Sequence, residues 1–510
     1  MHFLLHGKNF MKNNTINVTI NGERLTCSAG ATLAEIIKGE KPCGGHGKCG
    51  KCKVIAKGNI SEPCETELSL LSKDELARGI RLGCLTYARG DCEIKTISES
   101  KNAQIVISGS KLDFELHPTF ADYGVAIDIG TTTLAARLYD TRGNMLSETS
   151  CLNSQSTWGA DVISRIEAAI DGKASALATD IRTDINNLIS ELALLGNIDS
   201  KRIQNVVITG NTVMLSLLTC QDTEPFSHAP FRVERLFGET IEAAELGLSA
   251  LNPAIEVYLP PCISAFVGAD TVCALLSSEL CDSEEPRMLV DIGTNGEMAL
   301  WKDGNLSVCS TAAGPAFEGV GISAGMRGEN GAIDKVAILN GALCPHVIGE
   351  IKARGICGSG IVDAAACMLE LELMDETGFI EDEAVRLAEG VELTQQDIRA
   401  LQLAKSAIYA GICTLAAKSN CELTSISRLI VAGGFGNYLN MISAARIGLL
   451  PSEMLGKISV VGNAALAGAS MLLLDRKLFK KASEIARSAT VAELASDPIF
   501  SELYMNSMLF

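Results

Sequence analysis

The segment Pro42-Cys43-Gly44-Gly45-His46-Gly47-Lys48-Cys49-Gly50-Lys51-Cys52 sets three thiols at C-x5-C-x2-C spacing, and Arg81-Leu82-Gly83-Cys84 adds a fourth from far along the chain. Three thiolates from one tight loop and one from elsewhere suit two irons, a 2Fe–2S cluster. The loop glycines let the backbone bend around such a cluster and turn N–H groups toward its sulfurs, which stabilises the reduced state. Four thiolates also suit zinc, but a zinc ribbon pairs two C-x2-C knuckles and only one occurs here. Two other thiols compete for the fourth place. Cys92 stands in the alternating run Cys92-Glu93-Ile94-Lys95, which reads as a strand with the thiol packed inside. Cys64 follows Glu62-Pro63 in a loop and is the stronger rival, while His46 reads as solvent-facing.

A second chemistry recurs further on. Gly124-Val125-Ala126-Ile127-Asp128-Ile129 reads as a buried strand ending in Gly130-Thr131-Thr132-Thr133. The pattern returns at Met288-Leu289-Val290-Asp291-Ile292-Gly293-Thr294-Asn295-Gly296-Glu297. Glycine admits a phosphate close to the backbone, and backbone N–H and threonine hydroxyl groups donate to its oxygens. An aspartate at such a strand end, Asp128 or Asp291, can hold Mg2+ through water or orient an attacking water. No G-x-x-x-x-G-K-[ST] occurs, so a P-loop is excluded. A third glycine-rich turn, with Gly433, Gly434, Phe435 and Gly436, follows the apolar run Leu429–Ala432 and leaves room for an adenosine ring. Gly355-Ile356-Cys357-Gly358-Ser359-Gly360 reads as a loop opening a helix that crosses between subdomains, although packing through small residues accounts for it as well.

The elements that must position these groups divide the chain. Ile16, Val18 and Ile20 alternate with polar residues before Asn21-Gly22, which predicts a hairpin. Thr32 and Glu35 form a capping box for a short helix carrying Leu33, Ile36 and Ile37. Residues 13–98 are expected to form an α+β unit, 99–120 a polar linker, and 121–510 an α/β body. The repeated phosphate loop splits that body into lobes of about 121–285 and 286–510, duplicated subdomains facing each other across a cleft.

Composition narrows the setting. The net charge of −18 argues against nucleic-acid and anionic-membrane partners. No run of eighteen uncharged apolar residues predicts a membrane span, and Met1–Phe10 lacks the apolar core of a secretory signal. Met11 offers a second start. Of the 18 cysteines, those beyond residue 100 sit in apolar segments such as Val272-Cys273-Ala274. They read as small core residues in a reducing, cytoplasmic protein.

The hairpin, helix and cysteine loop resemble a β-grasp 2Fe–2S ferredoxin domain, with Cys84 in the place of the last ligand. Residues 121–510 resemble the actin, sugar kinase and Hsp70 superfamily, an actin-like ATPase fold of two ribonuclease-H-like subdomains. The four glycine-rich elements would be its phosphate-1, phosphate-2, connecting-helix and adenosine motifs. The fusion of the two is similar to the reductive activators of corrinoid proteins. Further strings carry that resemblance: Asn153-Ser154-Gln155, Gly159–Ile166, Thr209–Met214, Phe266–Thr271, Ala313–Gly319 and Gly462–Ala469.

The resemblance implies ATP between two lobes, with Asp128 near magnesium and Asp291 near the γ-phosphate and water. It implies a corrinoid protein of a methyltransferase system as partner, an external low-potential electron donor, and a homodimer. An electron passes from the cluster to inactive Co(II), regenerating Co(I), uphill and driven by ATP. Activators of the corrinoid iron–sulfur protein carry a middle domain between linker and ATPase, for which the twenty-odd residues here leave no room. A small corrinoid protein of an O-demethylase or methylamine-type methyltransferase therefore fits the partner's place equally well. The rivals are a small-molecule kinase with a regulatory ferredoxin domain, and an electron carrier whose ATPase has degenerated, which the intact Asp128 and Asp291 disfavour. The activators of 2-hydroxyacyl-CoA dehydratases hold a cubane cluster between subunits and lack a ferredoxin domain, so the cysteine loop argues against them.

Overall fold

The computed structural model describes residues 15–20, 23–37, 52–96, 116–231, 233–434 and 438–510. They fall into two compact units, one of residues 1–101 with 155–160 and one of residues 102–154 with 161–510.

In the first unit β1 (Thr15–Ile20), β2 (Glu23–Ser28), β3 (Lys53–Ile60), β4 (Ile80–Leu82) and β5 (Ala88–Thr96) form one sheet in the order β2-β1-β5-β3-β4. Only β1 and β5 run parallel. This is the β-grasp arrangement. Ile20 lies opposite Glu23, the register that a two-residue connection imposes; Asn21 and Gly22 themselves lie outside the described residues. The expected capping box is formed, with Glu35 N–H donating to Thr32 Oγ1 (3.3 Å) and Thr32 N–H to Glu35 Oε2 (3.0 Å). It starts helix Leu33–Ile36, and Leu33 is buried with Val18, Val54, Ala88 and Ile94.

In the second unit β6 (Tyr123–Ile129), β7 (Thr133–Asp140), β8 (Met145–Leu152), β9 (Ile203–Gly210), β10 (Glu239–Glu242) and β11 (Glu256–Leu259) make a sheet ordered β10-β11-β9-β6-β7-β8. The chain then lays down β12 (Arg287–Ile292), β13 (Gly296–Lys302) and β14 (Asn305–Thr311). An inserted portion follows, with β15 (Ala332–Leu339), β16 (Ala342–Val347) and β17 (Gly355–Ile356) in one small sheet and β18 (Ala384–Ala388) with β19 (Val391–Thr394) in a hairpin. β20 (Arg428–Ala432), β21 (Ile458–Gly462) and β22 (Thr490–Val491) complete a second six-stranded sheet, β21-β20-β12-β13-β14-β22. The two large sheets repeat one plan. Three antiparallel strands, β6-β7-β8 or β12-β13-β14, continue through β6 or β12 into two parallel ones, β9-β11 or β20-β21.

Helices Ala269–Ser277 and Ala464–Leu474 lie between the sheets in one core, where Ala126 and Val207 of the first sheet and Leu289 and Ile430 of the second are all buried. They approach so closely that a Cβ on Gly468 would stand 1.9 Å from the Cys273 carbonyl oxygen. These are the helices joining the lobes, which corrects the expectation placed on Gly355–Asp363. Helix Gly358–Glu370 packs instead on β15 inside the C-terminal lobe. Its small residues serve that contact, since a Cβ on Gly360 would meet the Ile333 carbonyl at 2.2 Å. Helix Gln395–Lys418 is long and apolar enough to cross a membrane, yet Leu401, Ile408 and Leu415 bury it in the same lobe.

The last residues of the expected linker belong to this unit. His117 N–H donates to the Leu474 carbonyl (2.9 Å), and Phe120 is buried against Gly124 and Leu473.

Gly468→Ala gains about 1 kcal/mol of helix propensity but forces the helices apart, at a cost of about 3 kcal/mol. Thermal or urea unfolding should show net destabilisation. A variant as stable as the parent would disprove the close crossing.

Candidate functional site

The first unit brings Cys84 to Cys52. Their Sγ atoms are 3.1 Å apart, and the Cys84 N–H points at Cys52 Sγ from 3.5 Å. Backbone bonds on both sides fix this approach: Gly83 N–H to the Cys52 carbonyl (2.7 Å) and Ala34 N–H to the Gly83 carbonyl (2.9 Å). Beneath it Glu67, fully buried, accepts from Arg81 Nε (3.0 Å) and Nη2 (2.8 Å), Leu82 N–H (3.0 Å) and Thr86 Oγ1 (2.9 Å). Burial would push this carboxyl up. The Arg81, Leu82 and Thr86 bonds outweigh it and hold the carboxyl below its ordinary value. The charged pair therefore pins the segment that presents Cys84. Cys92 is packed inside β5, where burial pushes its thiol up. Cys64 is exposed ahead of helix Glu65–Leu70. Cys43, Cys49 and His46 lie outside the described residues.

The second unit assembles the other predicted residues in one cleft. Asp128, Gly130, Thr131, Thr132 and Thr133 line it from the first lobe; Asp291, Gly293, Thr294, Asn295 and Gly434 line it from the second. Both loops close the same way, Gly130 N–H donating to the Thr133 carbonyl and Gly293 N–H to the Asn295 carbonyl, each at 3.0 Å. Behind the first loop, buried Asn153 and Arg165 take up its carbonyls. Asn153 Nδ2 donates to Gly130 O (2.9 Å), Arg165 Nη2 to Thr131 O (2.5 Å), and Asn153 N–H to Thr132 O (2.9 Å). With its carbonyls bonded from behind, the loop offers N–H and hydroxyl donors to the cleft. Gly433 has φ 95°, and a Cβ there would sit 2.6 Å from Asp291 Oδ1, so glycine is required. Phe435 and Gly436 lie outside the described residues.

Sequence reasoning missed five polar lining residues: Asn211, Asp270, Glu297, Glu318 and Asn463. All of them stand within the strings quoted above, where the signal was available. Asn463 caps helix Ala464–Leu474 and donates to Asp128 Oδ2 (2.9 Å) across the lobes. Glu318 accepts from both loops, from Thr294 Oγ1 (2.7 Å) and from Thr132 Oγ1.

Five carboxyls thus line the cleft, and four of them are raised. Burial pushes Asp128 up to about 7, with the Asn463 bond opposing and the Asp270 and Asp291 charges adding to it. Burial and then the Asp270 charge push Asp291 up to about 7. Burial pushes Asp270 up to about 6 against its bonds to Thr271. Glu297 is raised well above its ordinary value by burial, Asp270 and Asp291. Among the described residues no three such side chains converge closely enough to hold a metal by themselves. A cation here would need water and ligand oxygens as well, which is how Mg2+ is commonly bound.

Two duplicated sheets, two matched phosphate loops and a carboxyl-lined cleft between lobes define an actin/sugar kinase-like ATPase fold, fused here to a β-grasp ferredoxin-like unit. The family model for the C-terminal domain of RACo, the ASKHA domain, matches residues 285–510, and that for the RACo middle region matches residues 123–283. The corrinoid activation enzyme RamQ of Eubacterium limosum is 35% identical over 453 residues, 82% of this chain and 76% of that protein. The [Co(II) methylated amine-specific corrinoid protein] reductase of Methanosarcina barkeri is 28% identical over 416 residues, 75% of this chain and 76% of that one. The solved reductive activator for corrinoid,iron-sulfur protein superposes with a TM-score of 0.72 at 28% identity, covering 97% of this chain and 98% of that one. The chain belongs to the family of reductive activators of corrinoid proteins. The expectation of a missing middle domain is overturned: the middle region is present at residues 123–283, as the first lobe.

A carboxyl with a raised pKa favours folding while protonated, so its contribution to stability falls as pH rises from near 4 to about 7. Asp128→Asn keeps an acceptor for Asn463 and removes one repelling charge. It should stabilise the ligand-free protein by on the order of 2 kcal/mol at pH 8 and leave it unchanged at pH 5. Melting at both pH values checks this; a loss of stability at pH 8 would refute the repulsion.

Proposed function

We propose that this chain carries out ATP-dependent reduction of the Co(II) form of a corrinoid protein in a methyltransferase system, regenerating Co(I). The observation that carries the reading is the union, in one member of this family, of a paired-cysteine ferredoxin fold with a two-loop phosphate cleft. The relatives, an activation enzyme and a Co(II) reductase by name, support it over a small-molecule kinase.

Cys43, Cys49, Cys52 and Cys84 are the proposed ligands of a 2Fe–2S cluster, which when bound supplies a one-electron centre. The approach of Cys84 to Cys52 fits that role, and the Cys84 N–H turned toward Cys52 Sγ is the donor expected beside a cluster sulfur. The Glu67–Arg81 pair keeps Cys84 in place. In the cleft, Gly130–Thr133 and Gly293–Asn295 donate to the phosphates of ATP, and the Gly433–Gly436 turn accommodates its adenosine. Asp128 would stand near Mg2+, and Asp291 near the γ-phosphate and the attacking water. Two positive charges offset the repulsion among the four raised carboxyls, which favours a bound cation at neutral pH.

Reduction of cobalt is uphill, so ATP must act through affinity: the lobes grip the Co(II) partner in one nucleotide state and release the Co(I) product in another. Equal affinity in both states would drive nothing. An external low-potential donor would supply the electron, two copies of the chain would form a homodimer, and the reaction would run in the cytoplasm. The lack of any disulfide among the described cysteines suits that compartment.

Cys84→Ala should abolish the visible absorbance of the cluster, while Cys64→Ala and Cys92→Ala keep it; an unchanged spectrum in Cys84→Ala would remove Cys84 from the ligand set. The functional test is cobalt reduction in a purified corrinoid protein, followed by absorbance with a strong donor. Co(I) should accumulate with Mg2+ and ATP and not without them. Equal accumulation without ATP would defeat the proposed coupling.

A further inference from the structure

Glu318 has no role in the reading above, yet it bonds to both glycine–threonine loops. Its two carboxylate oxygens accept from Thr132 Oγ1 of the first loop and Thr294 Oγ1 of the second (2.7 Å). The turn that carries it, Pro315–Glu318, is tied to the second loop by Gly314 N–H donating to the Thr294 carbonyl (2.9 Å). The residue therefore belongs to the C-terminal lobe and reaches across the cleft. Arg165, buried behind the first loop, feels the Glu318 charge.

A threonine hydroxyl has a single proton to give. While Thr132 and Thr294 donate to Glu318, neither can donate to a phosphate. Carboxylate and phosphate are both anionic acceptors of such bonds, and the two compete for one seat. We propose that Glu318 is a positioning residue that fills the phosphate seat of the nucleotide-free cleft and must be displaced by the polyphosphate of ATP. Displacement breaks a link between the lobes and remakes it through the nucleotide, so occupancy of the seat reports to both lobes at once. The inference rests on the proposed nucleotide site.

Calorimetric titration of the full chain with ATP and with AMP tests it. Glu318→Gln and Glu318→Ala should bind ATP about tenfold more tightly than the parent, because two charge-assisted bonds no longer have to be broken. Affinity for AMP, which lacks the polyphosphate, should not change. A residue that merely braced its turn would weaken both ligands when replaced, so unchanged or weakened ATP binding by the variants overturns the proposal. Hydrogen exchange on the unaltered chain gives a second reading that needs no variant. ATP should protect residues 130–133 and 293–295 while residues 314–319 exchange faster. Protection of all three segments would equally overturn it. If the unaltered chain binds no ATP, the nucleotide site itself falls and this inference with it. If the chain binds ATP and the variants match it, only the inference falls.

Discussion

The close crossing of helices Ala269–Ser277 and Ala464–Leu474 is the constraint on which the second unit rests. At Gly468 one backbone lies directly against the other, and the residues around the contact fill the core between the two large sheets. Both helices start at the cleft. Asp270 stands in the first turn of one, and Asn463 caps the other and holds Asp128. The distance between the helices therefore fixes where two groups of the site stand. A packed crossing is stiff to compression but can slide or rotate, which suits the lobe movement that the proposed coupling calls for.

The cleft built on that crossing is electrostatically incomplete. Asp128, Asp270, Asp291 and Glu297 share a half-buried floor, and burial leads the causes that raise each of them. A fold selected for stability alone would replace some of them. Their retention makes sense if the floor is completed by positive charge from outside, since a cation that binds the folded chain turns repulsion into binding energy. The opposite wall supplies donors. The carbonyls of Gly130, Thr131 and Thr132 are taken up by Asn153 and Arg165, so the wall favours an anion as firmly as the floor favours a cation. A metal-bound polyphosphate satisfies both.

Much of this was legible in the sequence, and the failures have physical reasons. The strand–glycine–threonine repeats were readable because a buried strand and a tight turn leave strong local marks, and the same holds for the capping box at Thr32 and Glu35. The Gly355–Asp363 segment was placed at the lobe boundary because small residues announce a close contact without naming the partner, which here is β15. Asp270, Glu297 and Glu318 were passed over because a single acidic residue beside an apolar or glycine-rich run looks like an ordinary solvated side chain; only the fold shows that they converge. The apparent lack of a middle domain arose from counting residues between cysteine unit and first phosphate loop, when that domain was the first lobe itself. Spacing left Cys84, Cys64 and Cys92 as rivals for the fourth place, and the structure sets Cys84 beside Cys52. What spacing could not show was the buried Glu67–Arg81 pair that holds it against Cys52.

The two sites differ in how they are stabilised, and the difference bears on coupling. The cysteine pair is locked: backbone bonds from Gly83 and Ala34 and a fully paired buried carboxylate leave Cys84 little freedom. A rigid setting suits an electron-transfer centre, because any rearrangement on changing charge adds to the barrier. The cleft is held across its lobes by bonds that a ligand can replace, Asn463 to Asp128 and the two threonines to Glu318. Exchanging such bonds for the proposed phosphate and metal contacts would change which lobe arrangement is favoured. A bias of 1.4 kcal/mol between arrangements already alters partner affinity tenfold. The chain thus holds Cys52 and Cys84 fixed and keeps its adjustable contacts in the cleft between the lobes, the division of labour that the proposed nucleotide-driven reduction requires.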